Sequence, residues 1–454
     1  MANPLQSVVD VRREELPVAL PMALVFFLVI TSFWVLKPLK KSLFIGYYSA
    51  LGDWFGLSGS QAELVAKVLN MVVAAVAVTV FTALSNRFVR ERLVTVFASF
   101  FIAGYMAFAV LLPSSFAAET LKQGGLDGTV WAFYLFGDLF STLMVASFFA
   151  FLNDSVTSEA AKRLYGLVGF GGVLGGAVGS TTVRGLIKSL SPSAWMIVLT
   201  VIAVMIIALA LFVGRQLARD GATSEIEEAP SPPPPAPDEK REGGNPAFEG
   251  FRLVLRSRYL LSIVAIVGLY ELVSTIMDFQ FSATIEHYLD GEAIGAQFTT
   301  VYAITNWTAM LVQLFLTSFV MKRLGVGVAL LVLPVAALLG STAFLALPIL
   351  WVGSLLNTAD NAFSYSINQS AKEALYVPTT REEKYKAKAF IDMFVQRFAK
   401  ALAVGLSLGM TLVFTDFSGV RWLSLFSAVI LVGWIFAVRY AGQRFAEYEA
   451  SKAS

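Results

Sequence analysis

The 454-residue chain contains no cysteine, a single histidine and few charged residues. Without cysteine there is no disulfide, no thiolate metal ligand and no Cys nucleophile. His287 alone leaves almost no room for a histidine-based metal centre or acid–base cluster. Charged residues make up 15% of the chain, against roughly 25% in a soluble domain. The formal net charge of +2 argues against a nucleic-acid footprint. What is abundant is apolar: 57% of residues are hydrophobic, 37 are Phe, and the mean hydropathy is +0.70. This excludes a soluble globular enzyme, a disordered chain and a disulfide-stapled secreted domain. The composition is that of a polytopic membrane protein.

A bilayer-spanning helix needs about 20 mostly apolar residues. Twelve segments qualify: 17–47, 64–84, 93–113, 129–152, 164–187, 194–214, 259–283, 296–320, 326–346, 349–375, 389–414 and 420–438. Their apolar runs are continuous rather than alternating, which points to helices and not barrel strands. Asp10, Glu14 and Glu15 near the start argue against a cleaved signal peptide. Residues 215–250 are polar, with four prolines at Pro232–Pro235, and read as a flexible linker. The expected organisation is an N-terminal six-helix half (1–214), the linker (215–250) and a C-terminal six-helix half (251–454). Residues 246–258 have the pattern of a basic amphipathic helix lying at the membrane face.

With the N-terminus placed in the cytoplasm, 23 of the 34 Lys and Arg fall on the cytoplasmic side, three on the opposite side and eight inside spans. That asymmetry puts both termini and the linker inside. Two six-helix halves, a long linker and a basic loop after the second span (Ser85–Arg92) match the ground plan of major-facilitator-like transporters. There, two halves rock about a central site. The loop itself is a degenerate form of that superfamily's signature.

The eight bases inside spans are Lys37, Lys40, Lys41, Lys67, Arg184, Lys372, Arg397 and Lys400; the acids include Asp138, Glu271, Asp278, Asp360, Glu373 and Asp392. A charge at a helix centre costs about 2.5–3.5 kcal/mol on insertion scales, so it is kept for a reason. For Lys67 and Arg184 that reason is expected to be an acid partner or a helix end. Lys37, Lys40 and Lys41 share one helix face at i, i+3 and i+4. Three ammonium groups so close repel one another unless an anion neutralises them, although a helix ending at Leu36 would give the same pattern. Segment 349–375 is unusually polar. Asp360, Ser364 and Asn368 stack at four-residue spacing, with Tyr365, Gln369 and Lys372 beside them, as expected of a helix lining a wet cavity or a polar network. Asp392, Gln396 and Lys400 repeat that spacing, with Arg397 adjacent. The stretch Gly166–Ser180 lacks the spacing and the preceding strand of a phosphate loop. Its small-xxx-small pairs Gly171/Gly175, Gly172/Gly176 and Gly175/Gly179 predict close helix packing instead.

Ser370-Ala371-Lys372-Glu373-Ala374-Leu375-Tyr376-Val377-Pro378 resembles the [S/T]-x-K-E-x-x-Y-x-P motif of the ATP/ADP antiporters of plastids and obligate intracellular bacteria. Lys384-Tyr385-Lys386-Ala387-Lys388-Ala389-Phe390-Ile391-Asp392, then Arg397 and Lys400, resembles the same family's K-x-K-G-K-A-x-x-D…R-x-x-K run. Asn153, the stretch Glu159–Tyr165 and Lys37-x-x-Lys40 are similar to further elements of that family. The chain departs from it where Lys37 stands for Arg, Lys41 for Asp, and Ala387 and Ala399 for Gly. The family's acids of helices 4 and 7 find approximate counterparts in Asp138 and Glu271, and the linker is an addition.

The resemblance implies a major-facilitator-like fold and exchange of ATP for ADP and phosphate. On this reading Lys37, Lys40, Lys372, Lys400 and Arg397 hold phosphates, while Tyr365 and Gln369 contact base or ribose. Asp138, Glu271, Asp278, Asp360 and Asp392 are the coupling or gating acids. No metal, cofactor or nucleic acid is expected. The expected partners are a small phosphorylated anion and the bilayer, and the expected assembly is a monomer. A proton-coupled carrier of another solute, or a non-transporting scaffold or sensor, are the alternatives. The charge asymmetry is directly testable, because a native chain without cysteine gives a clean background. A unique Cys at Ser231 should resist an impermeant thiol reagent applied outside the cell, while one at Ser58 should react. External labelling at Ser231 would overturn the orientation.

Overall fold

The computed structural model describes residues 15–85, 87–88, 91–122, 125–155, 158–224, 246–379, 387–388, 390–414 and 417–453. The proline-rich part of the linker and the Lys384–Lys386 part of the antiporter-like run lie outside them. The twelve expected segments all fall on helix. In chain order these are α1 (Leu16–Leu51), α2 (Gly59–Ser85), α3 (Glu91–Leu111), α4 (Asp127–Ser155), α5 (Ser158–Leu186), α6 (Pro192–Ser224), α7 (Arg258–Tyr288), α8 (Glu292–Arg323), α9 (Gly325–Ala346), α10 (350–374), α11 (391–413) and α12 (Ser418–Ala453). An amphipathic helix, Pro246–Arg256, precedes α7. Among the described residues, ten of the helices are long and apolar enough to cross a membrane. The other two, α10 and α11, are the polar ones. Each contains a π-helical turn, Ser364–Asn368 in α10 and Ile391–Val395 in α11, and the apolar α8 has a third at Val312–Thr317.

Local chemistry sets the helix ends. α1 opens with a proline in its first turn and stops at Gly52, whose φ of 103° lets its N–H close back on the Tyr48 carbonyl. Gly325, at φ 83°, makes the sharp turn between α8 and α9. Ser257 caps α7, its side chain accepting the Leu260 N–H at 3.3 Å. Inside the spans, hydroxyls fold back on the carbonyl four residues earlier. Ser42 donates to Pro38, Ser147 to Leu143, Ser180 to Gly176 and Thr284 to Gln280, each at 2.6–2.7 Å. A hydroxyl buried without a partner would be costly in an apolar medium, and its own helix supplies one.

The chain forms two compact units. The first comprises Met1–Gly59, Leu69–Asp238 and Asp290–Asn306; the second comprises Ser60–Val68, Glu239–Leu289 and Trp307–Ser454. In the first, α1 packs on α4, α5 and α6, and α3 packs on α6. In the second, α7 packs on α10, α11 and α12, and α9 packs on α12. The same packing scheme thus recurs six helices later, the mark of an internal repeat. Large apolar side chains such as Val110, Leu339, Val429 and Phe436 are more than 60% exposed. Such a belt of exposed side chains suits acyl chains and not water.

The glycines of α5 do what their spacing predicts, and the partner is α1. A Cβ on Gly171 would stand 2.7 Å from the Ala23 carbonyl oxygen, and one on Gly179 would stand 2.8 Å from that of Thr31. A Cβ on Gly175 would overlap the Phe27 carbonyl. Thr31 also donates its hydroxyl to the Gly175 carbonyl at 3.2 Å, locking the contact. These obstacles are backbone and cannot swing aside. Gly175→Leu should therefore lower the thermal midpoint and yield of purified protein by more than the ~1–3 kcal/mol typical of overpacking. A well-folded variant with normal yield would sink this account.

Candidate functional site

In the first unit the three lysines of α1 are inside the protein. The helix runs on to Leu51, so the cluster is not a helix end. Lys40 and Lys41 are buried and Lys37 is half-buried. Lys40 forms an ion pair with Asp138 of α4, and its Nζ lies 4.3 Å from the Tyr134 ring centre. Lys37 Nζ lies 4.7 Å from the Trp34 ring and 4.9 Å from that of Tyr302. Lys41 Nζ lies 5.3 Å from the Phe298 ring. Aromatic faces attract ammonium groups, most strongly where water is scarce. Gly137 makes the arrangement possible, because a Cβ there would come within 2.9 Å of the Lys40 stem.

The C-terminal end of α1 is braced by another carboxylate. Tyr47 and Tyr48 of α1 donate to the two oxygens of Asp127 at 2.9 and 3.0 Å. Trp131 donates to the Tyr48 hydroxyl at 2.8 Å. The C-terminal end of α1 is thereby tied to the first turn of α4, one side of the lysine cluster.

In the second unit the charges pair in sequence along α7. Glu271 meets Lys400 of α11 at 3.4 Å. Ser274 donates to Asp360 of α10 at 2.6 Å. Asp278 pairs with Lys67 of α2 at 2.6 Å, and the Asn357 amide reaches its other oxygen at 3.5 Å. Lys67 therefore has the acid partner expected for it. Asp138 and Asp360 each stand about ten residues into their helices, and each takes a side chain from the hub helix. The first acid receives a lysine and the second a hydroxyl.

On α10 the Asp360, Ser364 and Asn368 stripe is buried, whereas Tyr365 and Gln369 are exposed. Both stripes run through the π turn. Lys372 is half-buried and has no ion pair among the described residues. Its neighbour Glu373 accepts both bonds from Lys388, at 2.9 and 2.7 Å. Lys388 also lies 5.5 Å from the ring centre of the buried Tyr376. Within the antiporter-like motif, Glu373 and Tyr376 thus fasten the end of the helix and Lys372 does not. Arg397 is half-buried on α11, and Asp392 lies in that helix's π turn with its side chain outside the described ones.

Sequence reasoning missed several participants. Glu63 is buried 3.8 Å from Lys67 on the same helix face, and i, i+4 spacing carried that signal. Tyr134, Tyr302 and Phe298 gave none, since aromatic residues are everywhere in this chain. Among the described residues no cluster of side chains is arranged to hold a metal ion.

Two repeated helical units with charged, buried hub helices define the class of a multi-pass membrane transporter. The chain belongs to the Major Facilitator Superfamily, whose profile matches residues 19–385. Residues 347–445, which include α10, α11 and most of α12, match the TLC ATP/ADP transporter family. ADP,ATP carrier protein 1 of Chlamydia pneumoniae is 23% identical over 446 residues, covering 85% of this chain and 83% of that protein. The chloroplastic ADP,ATP carrier protein 1 of Arabidopsis thaliana is 23% identical over 472 residues, covering 92% and 72%. Among solved structures, a D-xylose-proton symporter superposes with a TM-score of 0.60 at 12% identity, covering 94% of this chain and 96% of that one. A bacterial homologue of the human lysosomal transporter Spinster gives 0.56 at 12%, covering 94% and 98%. Those two likenesses establish the fold alone. The chain is an integral, multi-pass membrane protein of a transporter family and not an enzyme.

Asp138→Asn would strand the Lys40 ammonium in a buried position. Breaking one side of such a pair typically costs about 3–5 kcal/mol. The single variant should therefore unfold at a clearly lower temperature in detergent. The double variant Asp138→Asn/Lys40→Gln should recover most of the loss. Equal midpoints for Asp138→Asn and the parent would reject the pairing.

Proposed function

We propose that the chain is a secondary transporter that exchanges nucleotides of the ATP/ADP type, or a closely related phosphorylated anion, by alternating access. The observation that carries this reading is the set of three lysines within five residues of α1, held inside the protein among aromatic rings. Phosphate oxygens favour clustered, partly desolvated cations. The ADP,ATP carrier relatives and the match of α10 and α11 to their family support the same substrate class. A fixed positive site also suits exchange: an empty carrier resists reorienting, so one anion replaces another.

In this proposal Lys37 and Lys372 bind phosphate, while Lys40 and Lys400 do so by leaving Asp138 and Glu271. Arg397 adds a further cation, and Tyr365 and Gln369 contact base or ribose. Asp138, Glu271, Asp278, Asp360 and Asp392 are the acids that release or hold these bases during the cycle. The division at 215–250 separates two six-helix halves. On the same proposal the protein resides in a bacterial inner membrane, both termini inside, as a monomer with no nucleic-acid partner.

Uptake of a labelled nucleotide panel into intact expressing cells, with and without internal nucleotide, tests the reading. Lys372→Gln keeps most of the side-chain length and removes the charge. One charge-assisted hydrogen bond is worth roughly 1.5–3 kcal/mol, so triphosphate affinity should fall about 10- to 150-fold while that of the uncharged nucleoside barely changes. Neutralising Glu373 as well should not restore it, since Glu373 is engaged by Lys388. Unchanged nucleotide exchange in both Lys372→Gln and Lys37→Gln would reject the nucleotide carrier. Uptake that follows the pH gradient and ignores internal nucleotide would favour a proton-coupled carrier.

A further inference from the structure

We propose that the corner where α7 begins binds the phosphate headgroup of an anionic phospholipid. A cavity of about 260 Å³ lies there, lined by Ser257, Tyr259, Leu260, Pro378, Thr379 and Arg444. Three parts of the second unit converge on it. The Tyr259 hydroxyl donates to the Leu375 carbonyl at 2.7 Å, tying the start of α7 to the end of α10. α12 contributes Arg444, whose side chain is 54% exposed and pairs with Glu447 at 2.8 Å. A pair so exposed is held weakly, and its guanidinium can turn to a phosphate at little loss.

The flank of the cavity is basic. Arg252 and Arg256 lie one turn apart on the Pro246–Arg256 helix, and Arg258 opens α7. All three are exposed, and none has an ion pair among the described residues. With Arg444 set against Glu447 and Glu249 on the same helix as Arg252 and Arg256, the local excess is two positive charges. The same helix is apolar beside its arginines. Val254 is buried in the core of the unit, while Phe251 and Leu255 are 45% and 56% exposed. Phe251 is braced by Phe390, with ring centres 5.6 Å apart. A helix facing water gains nothing from exposed Phe and Leu next to arginine. A helix lying in the membrane interface does: the apolar stripe enters the acyl boundary and the guanidinium groups stay level with phosphates. An occupant with both a phosphate and acyl chains satisfies the two stripes together, whereas a free phosphate would leave the apolar one in water.

The test uses full-length protein in a neutral detergent and a fluorescent short-chain phosphatidylglycerol. Unlabelled phosphatidylglycerol should displace the probe, while phosphatidylcholine and glycerol 3-phosphate at the same concentration should not. Binding should weaken as salt rises from about 50 mM to 500 mM, because the attraction is between exposed charges. The triple variant Arg256→Gln/Arg258→Gln/Arg444→Gln should lose roughly a hundredfold in affinity, with the thermal midpoint of the parent. Leu255→Asp should weaken lipid binding without creating affinity for glycerol 3-phosphate. Displacement by phosphatidylcholine as strong as by phosphatidylglycerol would overturn the proposal, as would unchanged binding by a folded triple variant. Displacement by glycerol 3-phosphate alone would reassign the site to a soluble phosphate. If the triple variant does not fold, the parent decides: salt-independent binding would reject a headgroup held by arginine.

Discussion

A bilayer offers no hydrogen-bonding partner, and that single constraint orders this structure. Backbone groups close on themselves in helices, and buried hydroxyls such as those of Ser42, Ser147, Ser180 and Thr284 return to their own helix. Ionised groups within the helices must find each other. The pairs Lys40–Asp138, Lys67–Asp278 and Lys400–Glu271 therefore act as cross-links, joining α1 to α4, α2 to α7, and α7 to α11. In the proposed function each link is also a charge that a substrate ion competes for, so that stability and transport would draw on the same side chains.

Close approach supplies what hydrophobicity cannot in lipid. Helices in a membrane gain nothing by hiding apolar surface from acyl chains, so they rely on contact area. The glycines of α5 let its backbone touch that of α1, and Thr31 seals the contact. Aromatic side chains fill the space between α3 and α4, where Phe101, Phe136 and Phe140 interlock at centroid distances of about 5 Å. α1, whose backbone is met by the glycines of α5, carries the lysine cluster. Those candidate binding side chains therefore project from a restrained backbone, which favours a site of fixed geometry.

α10 and α11 break the pattern by their polarity. Each also contains a π turn, a feature shared with the apolar α8. Irregular backbone at membrane depth is tolerated where it is buried in protein or lines a wet cavity, and π turns gather at functional sites. Through the turn of α10 a buried stripe of Asp360, Ser364 and Asn368 runs beside the exposed pair Tyr365 and Gln369. The following motif is divided in the same manner. Glu373 and Tyr376 are absorbed in holding the helix end, whereas Lys372 has no ion pair among the described residues.

Much of this was legible in the residues alone. Apolar run length fixes the spans because the hydrocarbon layer has a fixed thickness, and the glycine spacing of α5 announces close packing because only small residues permit it. The lysine spacing of α1 places three charges on one face by helix geometry. What the residues could not convey was choice of partner. Nothing in the order of the chain says that Lys40 meets Asp138, that Glu373 takes Lys388, or that Tyr302 covers Lys37. Those contacts join residues up to 265 positions apart and depend on which helix faces which. The π turns escaped too, because i+4 spacing presumes the regular backbone they interrupt. Local periodicity is a property of the sequence, whereas pairing between helices is decided only when they pack.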